Sequence, residues 1–521
     1  MAIRIIVRSN DYHDSMVLMQ ISSKILEMEG VKRVAIMMAT DNNKPFIAYC
    51  GFHDEAIDTA GASDLVIALE TSDETQMDAT IARIDALLKE RGRRRKIGRR
   101  FASLEGACNG FEGANVAVIS VPGQFAAREA RKALTRGLNV LLFSDNVTVE
   151  DEVALKRLAK EKGLMLMGPD CGTAIINGTG LGFANQVRRG PVGIVGASGT
   201  GIQELCMILE QAGGLGVSQA IGTGGRDLSE RVGGLTALSG LDFLAGDPET
   251  EIILMISKPP SEQVAEKIFE RISTIGKKAV VCFLGLAPGS PDTAVQTNII
   301  RTETIEEAGL ATIHLMGSAI DKRFITDKGE IATIAADERS RFKKGQVFLR
   351  GLFCGGSFCY ESMIYLRSQL TRLHANSPVS GIASLHDAYV SEEHSVVDLG
   401  ADEFTRGRVH PMIDPTGVAD RIGREAADES VAVILFDVIL GYGAHQDPAS
   451  VLIPAVKAAQ DQAMAAGRSV AFVTHLCGTE ADPQDRGEQE KRFLEAGVHV
   501  AATNLQATRI AVEIVRSKTD G

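Results

Sequence analysis

The sequence predicts an α/β protein of several domains, and three observations support this fold class. The 521 residues suffice for about three or four domains of typical size. Glycine is frequent, with 53 residues, whereas aromatic residues make up only 5% of the chain. Apolar, β-branched runs alternate with amphipathic stretches, which indicates strands that alternate with helices. Together these features favour sheets whose glycine-containing strand-to-helix turns can approach anionic ligands.

Residues 1–90 are predicted to form a small α/β domain. Their apolar periodicity indicates strands at 3–7, 34–38 and 65–69, and helices at 15–29 and 73–89. The basic run RGRRRKIGRR at 91–100 opens a predicted linker over 91–112. A nucleic-acid patch is the alternative, but no aromatic residue accompanies the run and the chain is acidic. We therefore expect a solvated linker, which could touch a phosphate ligand.

Residues 113–190 are predicted to form a Rossmann-like domain. Strands at 116–121, 140–143 and 164–167 alternate with helices at 125–136 and 149–162. In doubly wound sheets, ligands bind at the carboxyl ends of the strands. The turns there provide a candidate nucleotide- or CoA-type cleft of Pro122, Gly123, Ser144, Asn146, Asp170 and Cys171. No histidine stands near Cys171 in the sequence, so a structural cysteine is favoured over a nucleophile.

An internal repeat runs from residue 190 to the end of the chain. Four landmarks recur in one order, each a strand followed by a characteristic turn. The paired segments are 192–201 with 347–357, 220–234 with 396–414, 251–262 with 431–448, and 278–292 with 469–484. We therefore predict two flavodoxin-like domains, over 191–335 and 345–521.

The first landmark predicts a phosphate cradle made of two helix starts. A helix start offers unpaired N–H groups and about half a positive charge, and glycines let an anion approach the backbone. Two such starts on related domains could hold one phosphate from both sides. The alternative is an ordinary turn with Ser198 as N-cap, and neither turn contains the lysine of a Walker A loop. The candidate residues are Ala197, Ser198, Gly199, Thr200 and Gly201, with Cys354, Gly355, Gly356 and Ser357.

Five further residues are candidates for catalysis. Arginine binds two oxygens of a phosphate or carboxylate at once, and histidine can transfer protons near neutral pH. The alternatives are surface arginines that cap loops and a structural histidine. The candidates are Arg226, Arg406, Arg408, His410 and His475.

Composition excludes several other functions. A net charge of −12 disfavours nucleic acid and acidic membranes as partners. No apolar run reaches the roughly 20 residues that span a bilayer, and the first residues lack the features of a signal peptide. The eight cysteines are scattered without CxxC pairs, so we expect reduced thiols and neither a disulfide framework nor a metal site. These features predict a cytoplasmic protein.

Several motifs resemble the succinyl-CoA synthetase superfamily, the nucleoside-diphosphate-forming acyl-CoA ligases. Residues 116–332 resemble the α subunit through SVPGQF, FSDNVT, GPDCG, VGIVGASGTGIQEL and GTGGRDLSE. Residues 346–516 resemble the carboxyl-terminal domain of the β subunit through VVDLGADEF, LFDVILGYG and THLCGTE. The whole chain is similar to the FdrA family, a single-chain fusion of those parts, through SDNVTVEDEVALK, GRVHPMIDP and GTEADPQ.

Two departures from the ligases shape the expected mechanism. The ligases carry a phosphoryl group on a histidine, but the counterpart region 283–292 contains none, so no phosphohistidine is expected. The nucleotide-binding ATP-grasp domain is also missing between the two halves. CoA is a weaker expectation than phosphate, because the first strand leads into SNDYHDS instead of a glycine-rich loop.

The FdrA resemblance implies carbamoyl transfer in allantoin-type nitrogen catabolism. Oxalurate and phosphate would give oxamate and carbamoyl phosphate, with the cradle binding phosphate or carbamoyl phosphate. The arginines would stabilise developing charge, and His410 or His475 could move a proton to the leaving amide. A homo-oligomer or a complex with other carbamoyltransferase subunits is expected. The rival hypotheses are an acyl-CoA ligase and a non-catalytic scaffold or regulatory subunit.

Overall fold

A computed structural model describes residues 2–11, 13, 15–26, 28, 30–40, 43–94, 101, 103–286, 298–405 and 409–516. They fall into two compact units, one of Met1–Ala102 with Asp402–Val409 and one of Ser103–Ala401 with His410–Gly521. Within the described residues, no helix combines the length and apolar character needed to cross a membrane.

The first unit is a small α/β domain built on a three-stranded antiparallel sheet. Its elements are β1 (Ala2–Arg8), α1 (Ser15–Leu26), β2 (Val31–Met38), α2 (Lys44–Tyr49), α3 (Glu55–Thr59), β3 (Leu65–Thr71) and α4 (Glu74–Arg94). The strand order is β1-β3-β2. Leu18 and Ile25 of α1 and Ile84 of α4 pack on one face of the sheet, where helical spacing places apolar residues on one side. The small α/β domain predicted at the amino terminus is confirmed.

The second unit begins with a Rossmann-like sheet of three parallel strands. Its elements are α5 (Leu104–Gly110), β4 (Val116–Ile119), α6 (Gly123–Thr135), β5 (Asn139–Leu142), α7 (Val149–Glu161) and β6 (Leu166–Met167), with strand order β4-β5-β6. Helix α5 lies within the predicted linker 91–112, so part of that segment is folded. The Ser103 hydroxyl accepts the Gly106 N–H at 3.1 Å, and Leu104 and Cys108 pack against the core of this sheet.

The next sheet is flavodoxin-like. Its elements are β7 (Thr173–Ile176), β8 (Thr179–Gly182), β9 (Val192–Gly196), α8 (Gly199–Gly213), β10 (Val217–Gly222), α9 (Leu235–Gly246), β11 (Ile252–Ser257), α10 (Glu262–Ile275), β12 (Lys278–Phe283), β13 (Ile299–Thr302), α11 (Ile305–Leu315) and α12 (Lys328–Ser340). The parallel strands have the order β10-β9-β11-β12-β13, which is the flavodoxin order 2-1-3-4-5. The β7–β8 hairpin falls in the range predicted for the Rossmann-like domain, yet it pairs with β10 of this sheet.

The last sheet repeats the same five-stranded core, and two short parallel strands extend it at one edge. Its elements are β14 (Phe348–Phe353), α13 (Gly356–Leu366), β15 (Leu373–Ala375), β16 (Ala383–Ser384), β17 (His394–Asp398), α14 (Asp402–Thr405), α15 (Thr416–Ala427), β18 (Val431–Ile439), α16 (Pro448–Ala465), β19 (Ala471–Cys477), α17 (Arg486–Glu495), β20 (His499–Ala501) and α18 (Asn504–Val515), of which α14 belongs to the first unit. Apart from β15 and β16, which lie beyond β17 at this edge, the order β17-β14-β18-β19-β20 is again 2-1-3-4-5. The predicted pair of flavodoxin-like domains is therefore confirmed.

Each flavodoxin-like domain provides one buried glutamate that caps a helix of the other domain. Glu204 of α8 accepts the N–H of Asn504, the first residue of α18, at 3.0 Å. Glu361 of α13 accepts the N–H of Ile305, the first residue of α11, at 2.8 Å. Each glutamate lies six residues after the N-cap of its own helix and caps a helix of the other domain. These two reciprocal caps fix the positions of α8 and α13, and so of their first turns, relative to each other.

Candidate functional site

The starts of helices α8 and α13 lie against each other, as the repeat predicts. Ser198 is the N-cap of α8, and its hydroxyl accepts the N–H of Gly201 at 3.0 Å. The same hydroxyl lies 2.5 Å from the hydroxyl of Ser357 in the first turn of α13. Ala197, Gly199, Thr200 and Gly356 are partly exposed, so the junction is open to solvent. Ser198 therefore acts as an N-cap and as one wall of a junction between two helix starts.

A carboxylate of the chain itself occupies the second helix start. Asp437, at the carboxyl end of β18, accepts the N–H of Cys354 and the N–H of Gly355, both at 2.7 Å. The side chain is buried, and burial raises the pKa of Asp437 above its ordinary value. These two predicted phosphate donors are thus already bonded within the chain, which the sequence analysis did not foresee.

The matched position in the first domain has no carboxylate. The register of β9 with β11 and of β14 with β18, with the N-caps Ser198 and Gly355 aligned, places Ile256 at the position that Asp437 holds in the repeat. The N–H of Ala197, which corresponds to that of Cys354, bonds to the carbonyl of Ile256 at 3.1 Å as part of the sheet. The first helix start therefore keeps its positive character for an anion from solution.

Gly355 is required where the two helix starts meet. A Cβ atom at this position would lie 2.7 Å from the ring of Phe358 and 3.1 Å from both Asp437 Oδ2 and Thr200 Cγ2. Any larger residue would push these groups apart. Gly199 has a similar neighbour, since its Cβ would lie 3.0 Å from the hydroxyl of Thr173. Hydroxyl-bearing residues therefore surround the start of α8.

His410 is a neutral histidine under physiological conditions. Burial lowers its pKa to about 4. Its Nδ1 accepts the N–H of Met412 at 3.3 Å, which leaves the proton of the neutral ring on Nε2. The ring packs near Phe183, with 5.9 Å between the centroids. At pH 7 the His410 ring is therefore uncharged. It can donate a hydrogen bond from Nε2, but it is not an imidazolium that could act as a cationic acid.

His475 lies deep between the two helices. It is fully buried on β19, beside Asp437 on β18, and its ring meets the ring of Phe358 edge-on at 4.7 Å. Its Nε2 is 3.4 Å from Glu204 Oε2. Within the described part of the chain, neither ring nitrogen has a hydrogen-bond partner. His475 is therefore placed below the helix starts, not at their open side.

The predicted arginines are not gathered at the helix starts in the described residues. Arg226 donates to the carbonyl of Val147 at 2.8 Å and pairs with Glu152 at 3.0 Å, on the side of the Rossmann-like sheet. The same cluster contains the buried Lys156, which pairs with Glu152 and Asp227. Arg406 and Arg408 lie outside the described residues.

The turns of the Rossmann-like sheet are joined to one another. The Ser144 hydroxyl donates to the carbonyl of Val121 at 2.6 Å, and the Asp170 N–H donates to the carbonyl of Ser144 at 3.0 Å. Pro122 is the N-cap of α6, which begins at Gly123. The predicted cleft residues thus come together.

Two residues of these turns adopt a left-handed backbone, and Cys171 is inert. Asn146 and Asp170 have φ values of 53° and 55°, a region that asparagine and aspartate tolerate better than other side-chain-bearing residues. Burial raises the pKa of the Cys171 thiol to about 12. A thiol with that pKa is protonated at neutral pH, in agreement with a structural role.

A small cleft opens at the carboxyl ends of β14 and β18. These strands are neighbours where the strand order reverses, which is where ligands bind in doubly wound sheets. The space inside it that a solvent molecule can occupy is about 10 Å³, which is room for about one water. Its polar lining comes from Cys354 and Asp437, and the remaining lining residues are Pro411, Met412, Pro415, Val418, Val438, Ile439, Pro448 and Leu452.

The described residues contain no group of three or more His, Cys, Asp or Glu side chains that could hold a metal ion. All eight cysteines are free thiols.

Comparison with known proteins assigns the chain to a family. The profile for the CoA-ligase domain matches residues 352–514, and the profile for the CoA-binding domain matches residues 187–285. The latter range lies downstream of residues 113–190, where the sequence analysis placed a CoA-binding-type domain. A third profile, described as the AllF heavy metal-associated domain, matches residues 1–102.

The relatives include one protein of the same length and several shorter ones. Escherichia coli YahF is 41% identical over 515 residues, which cover 99% of each chain. An α subunit of succinate–CoA ligase from Trichomonas vaginalis is 32% identical over 185 residues, and one from Aquifex aeolicus is 35% identical over 169. These alignments cover 34% and 31% of this chain, and 58% and 54% of the two subunits.

Two solved structures align with most of the chain at low scores. PH0766 from Pyrococcus horikoshii has 14% identity and a TM-score of 0.31, over 78% of this chain and 85% of its own. An acetyl-coenzyme A synthetase from Ca. Korarchaeum cryptofilum has 14% identity and a TM-score of 0.29, over 80% and 87%. The family assignment therefore depends on the sequence relatives.

The repeated flavodoxin-like sheets and the matched profiles define a fused protein of the succinyl-CoA synthetase superfamily. The chain belongs to the FdrA/AllF family within it, together with YahF.

The heavy metal named for the amino-terminal domain does not fit the residues of this chain. Thiophilic metals are held by paired thiolates or by cysteine with histidine. Residues 1–102 contain a single cysteine, Cys50, and their described part holds no metal-ligand cluster. No step of the chemistry is therefore assigned to a metal in this domain.

Proposed function

We propose that the chain catalyses phosphate-dependent carbamoyl transfer, converting oxalurate and phosphate to oxamate and carbamoyl phosphate. A phosphate oxygen attacks the carbamoyl carbon and forms the new C–O bond. The C–N bond to the oxamate nitrogen breaks, and the proton released by phosphate passes to that nitrogen. The reaction needs no nucleotide and no covalent intermediate on the protein. Membership of the acyl-CoA ligase superfamily supports acyl-group chemistry in general, and the AllF profile supports the allantoin context.

The contact between Ser198 and Ser357 carries this proposal. It joins two helix starts into one junction that is partly exposed through Gly199 and Thr200. The start of α8 offers N–H groups and a positive dipole end, and the hydroxyls can turn toward phosphate oxygens. Asp437 neutralises the start of α13, so we assign the phosphate to the α8 side.

The open side of the junction between the two helix starts, where Gly199, Thr200 and Gly356 are partly exposed, is the proposed place of the organic part of the substrate. Bringing the carbamoyl carbon and phosphate to adjacent positions is itself a large part of catalysis for a reaction between two bound molecules. We further propose a cytoplasmic setting, in keeping with eight free thiols, and assembly as a homo-oligomer or with other carbamoyltransferase subunits.

The proposal is tested by titrating the full chain with carbamoyl phosphate, phosphate and CoA and following thermal unfolding. A ligand that binds only the folded state stabilises it by about 2.7 kcal/mol at a hundredfold excess over its dissociation constant. We expect a shift with carbamoyl phosphate that is reduced in Ser198→Ala and retained in Ser340→Ala, an exposed serine at the end of α12. Oxalurate phosphorolysis is then assayed with and without partner subunits. Equal shifts for both variants would contradict the site.

An acyl-CoA ligase is the second candidate. The CoA-binding profile at 187–285 and the identity with succinate–CoA ligase α subunits favour it. This candidate predicts a thermal shift with CoA and none with carbamoyl phosphate. It also predicts hydroxamate formation from a carboxylic acid that depends on ATP and CoA.

A further inference from the structure

The two serines at the junction of α8 and α13 together hold one hydroxyl proton that has no acceptor. Ser198 and Ser357 are only 5% and 6% exposed, and their hydroxyl oxygens lie 2.5 Å apart. Ser198 Oγ also accepts the N–H of Gly201. Only one hydroxyl can donate along the contact between the serines, so the proton of the other is left over whichever way that bond runs. No acceptor of the described residues takes it, and a buried donor of this kind needs an acceptor from solution.

Two backbone N–H groups at the same place are also unpaired. The N–H groups of Gly199 and Thr200 belong to the first turn of α8, where a helix provides no acceptor of its own, and no other part of the described chain bonds to them. Both residues are partly exposed, so an acceptor from solution can reach them. The start of α8 therefore presents hydrogen-bond donors without acceptors.

One lysine stands beside these donors. Lys258 directly follows β11, and two residues before it the carbonyl of Ile256 accepts the N–H of Ala197, just before α8. The Lys258 ammonium lies 5.2 Å from the centroid of the Tyr360 ring. Tyr360 comes three residues after Ser357, one turn further along the same side of α13. These contacts with both helices place Lys258 at the junction.

The positive charge of Lys258 is not balanced by a carboxylate. Within the described part of the chain, the ring of Tyr360 is the only group in contact with its ammonium, and the side chain is exposed. An aromatic face attracts a cation but leaves N–H groups of the ammonium available for a ligand. The carboxylates stand at the start of α13: Asp437 bonds to the backbone there, and Asp398 Oδ2 would lie 3.1 Å from a Cβ atom at Gly356. The α8 side of the junction is therefore the side that attracts an anion.

We infer that Lys258 is the cation that binds the phosphate group at the junction, and that Tyr360 is a positioning residue that holds its ammonium there. A helix start offers only about half a positive charge, whereas a lysine adds a full charge and further N–H donors for a dianionic phosphate. The inference deepens the proposed function, since it names the residue that recognises the anionic ligand of that site. It rests on the proposed function for the assignment of phosphate to the α8 side.

The test measures the dissociation constants of inorganic phosphate, carbamoyl phosphate and CoA by calorimetry on the full chain. We expect Lys258→Gln to weaken the binding of phosphate and carbamoyl phosphate roughly tenfold or more, the effect of losing a hydrogen bond between charged groups. Added salt should weaken binding less in this variant than in wild type, because the screened charge is gone. Lys258→Arg keeps the charge and should retain most of the affinity. Lys267→Gln, at an exposed position of α10, is the matched control and should bind as wild type does.

Two substitutions of Tyr360 test its positioning role. Tyr360→Phe keeps the aromatic ring and should bind phosphate as wild type does. Tyr360→Leu removes the ring and should weaken binding by about two- to fivefold, the effect of losing an exposed cation–π contact. Thermal unfolding of each variant shows whether it is folded. Equal affinities of the two variants would overturn the positioning role.

The role of Lys258 is overturned if Lys258→Gln and Lys267→Gln bind phosphate equally, if wild-type protein binds neither phosphate nor carbamoyl phosphate, or if the loss is confined to CoA. Failure of the proposed function is distinguishable. Phosphate binding that depends on Lys258, without oxalurate phosphorolysis even when partner subunits are added, would remove carbamoyl transfer and leave the site intact. Phosphorolysis that proceeds unchanged in Lys258→Gln would remove the role of Lys258 and leave carbamoyl transfer.

Discussion

The two flavodoxin-like domains share one topology but present different helix starts. Helix α8 begins with Ser198 as N-cap, and no carboxylate stands at the matched position of β11, where Ile256 lies. Helix α13 begins with Gly355 as N-cap, and Asp437 accepts two backbone N–H groups there. Duplication of a fold therefore does not duplicate its electrostatics. One helix start remains suited to an external anion, and the other holds an internal one.

The largest expected effect is a difference in the free energy of unfolding between a substitution near the end of β18 and one at the end of β11. Asp437→Ala leaves the buried N–H groups of Cys354 and Gly355 without an acceptor, so we expect the free energy of unfolding to fall by about 3–5 kcal/mol. Ser257→Ala, at the end of β11 in the first flavodoxin-like domain, should cost about 1 kcal/mol or less. Urea unfolding of both variants measures the difference. Equal losses would show that Asp437 does not support the helix start.

The second effect concerns Glu361, one of the two glutamates that cap a helix of the opposite domain. Burial raises the pKa of Glu361 to about 7 from an ordinary value near 4.5. Between these values the folded state keeps the proton while the unfolded state loses it. Wild-type stability should therefore fall as pH rises through this range, by about 2–3 kcal/mol from this group, and the loss should be complete above pH 7.

Glu361→Gln removes this titration. The stability of the variant relative to wild type should thus increase by about 2–3 kcal/mol between pH 5 and pH 8, as measured by urea unfolding. Glu429→Gln, at an exposed position, serves as the control. A constant difference between Glu361→Gln and wild type across this range would show that Glu361 does not carry a proton in the folded protein near neutral pH.

The fold could be predicted because it depends on local periodicity and on the order of the repeated segments. Strand ends followed by glycine turns, such as 192–201 and 347–357, mark the same element twice, and parallel sheets need such short-range patterns. The boundaries were less predictable. The β7–β8 hairpin pairs with β10, which follows it in the chain only after β9 and α8. The local sequence therefore does not show that the hairpin belongs to the flavodoxin-like sheet.

The contents of the site could be predicted only in part. Ser198 and Ser357 stand in glycine-rich turns, a signal that local sequence displays, and the structure brings them into contact. Asp437 lies within an apolar strand, VAVILFDVI, where nothing local connects it with Cys354. Glu204 and Glu361 were missed for the same reason, because their partners lie in the other domain. A charged residue inside an apolar run, or the same acid recurring in both repeats, was the available signal.

A smaller effect tests the first helix start. Ser198→Ala removes the N-cap bond to Gly201 and the contact with Ser357, and a lost serine cap costs about 1 kcal/mol. If phosphate binds on this side, the affinity for carbamoyl phosphate should fall roughly tenfold, the effect of losing one hydrogen bond to a charged group. Thermal melts and calorimetry measure the two quantities. A loss of stability with unchanged affinity would show that Ser198 caps α8 but does not bind the phosphate.

The smallest expected effect concerns Arg226, which sequence analysis proposed as a catalytic residue of the first domain. Its guanidinium bonds to Glu152 and to the carbonyl of Val147, and the pair is partly open to solvent. Partly exposed ion pairs contribute about 0–1 kcal/mol, so Arg226→Ala should change stability little. The affinity for carbamoyl phosphate should change by less than about twofold, because the described contacts of Arg226 lead away from the helix starts. A tenfold loss of affinity would instead show that Arg226 contacts the phosphate. The first helix start would then bind the anion with a further positively charged side chain in addition to its backbone N–H groups.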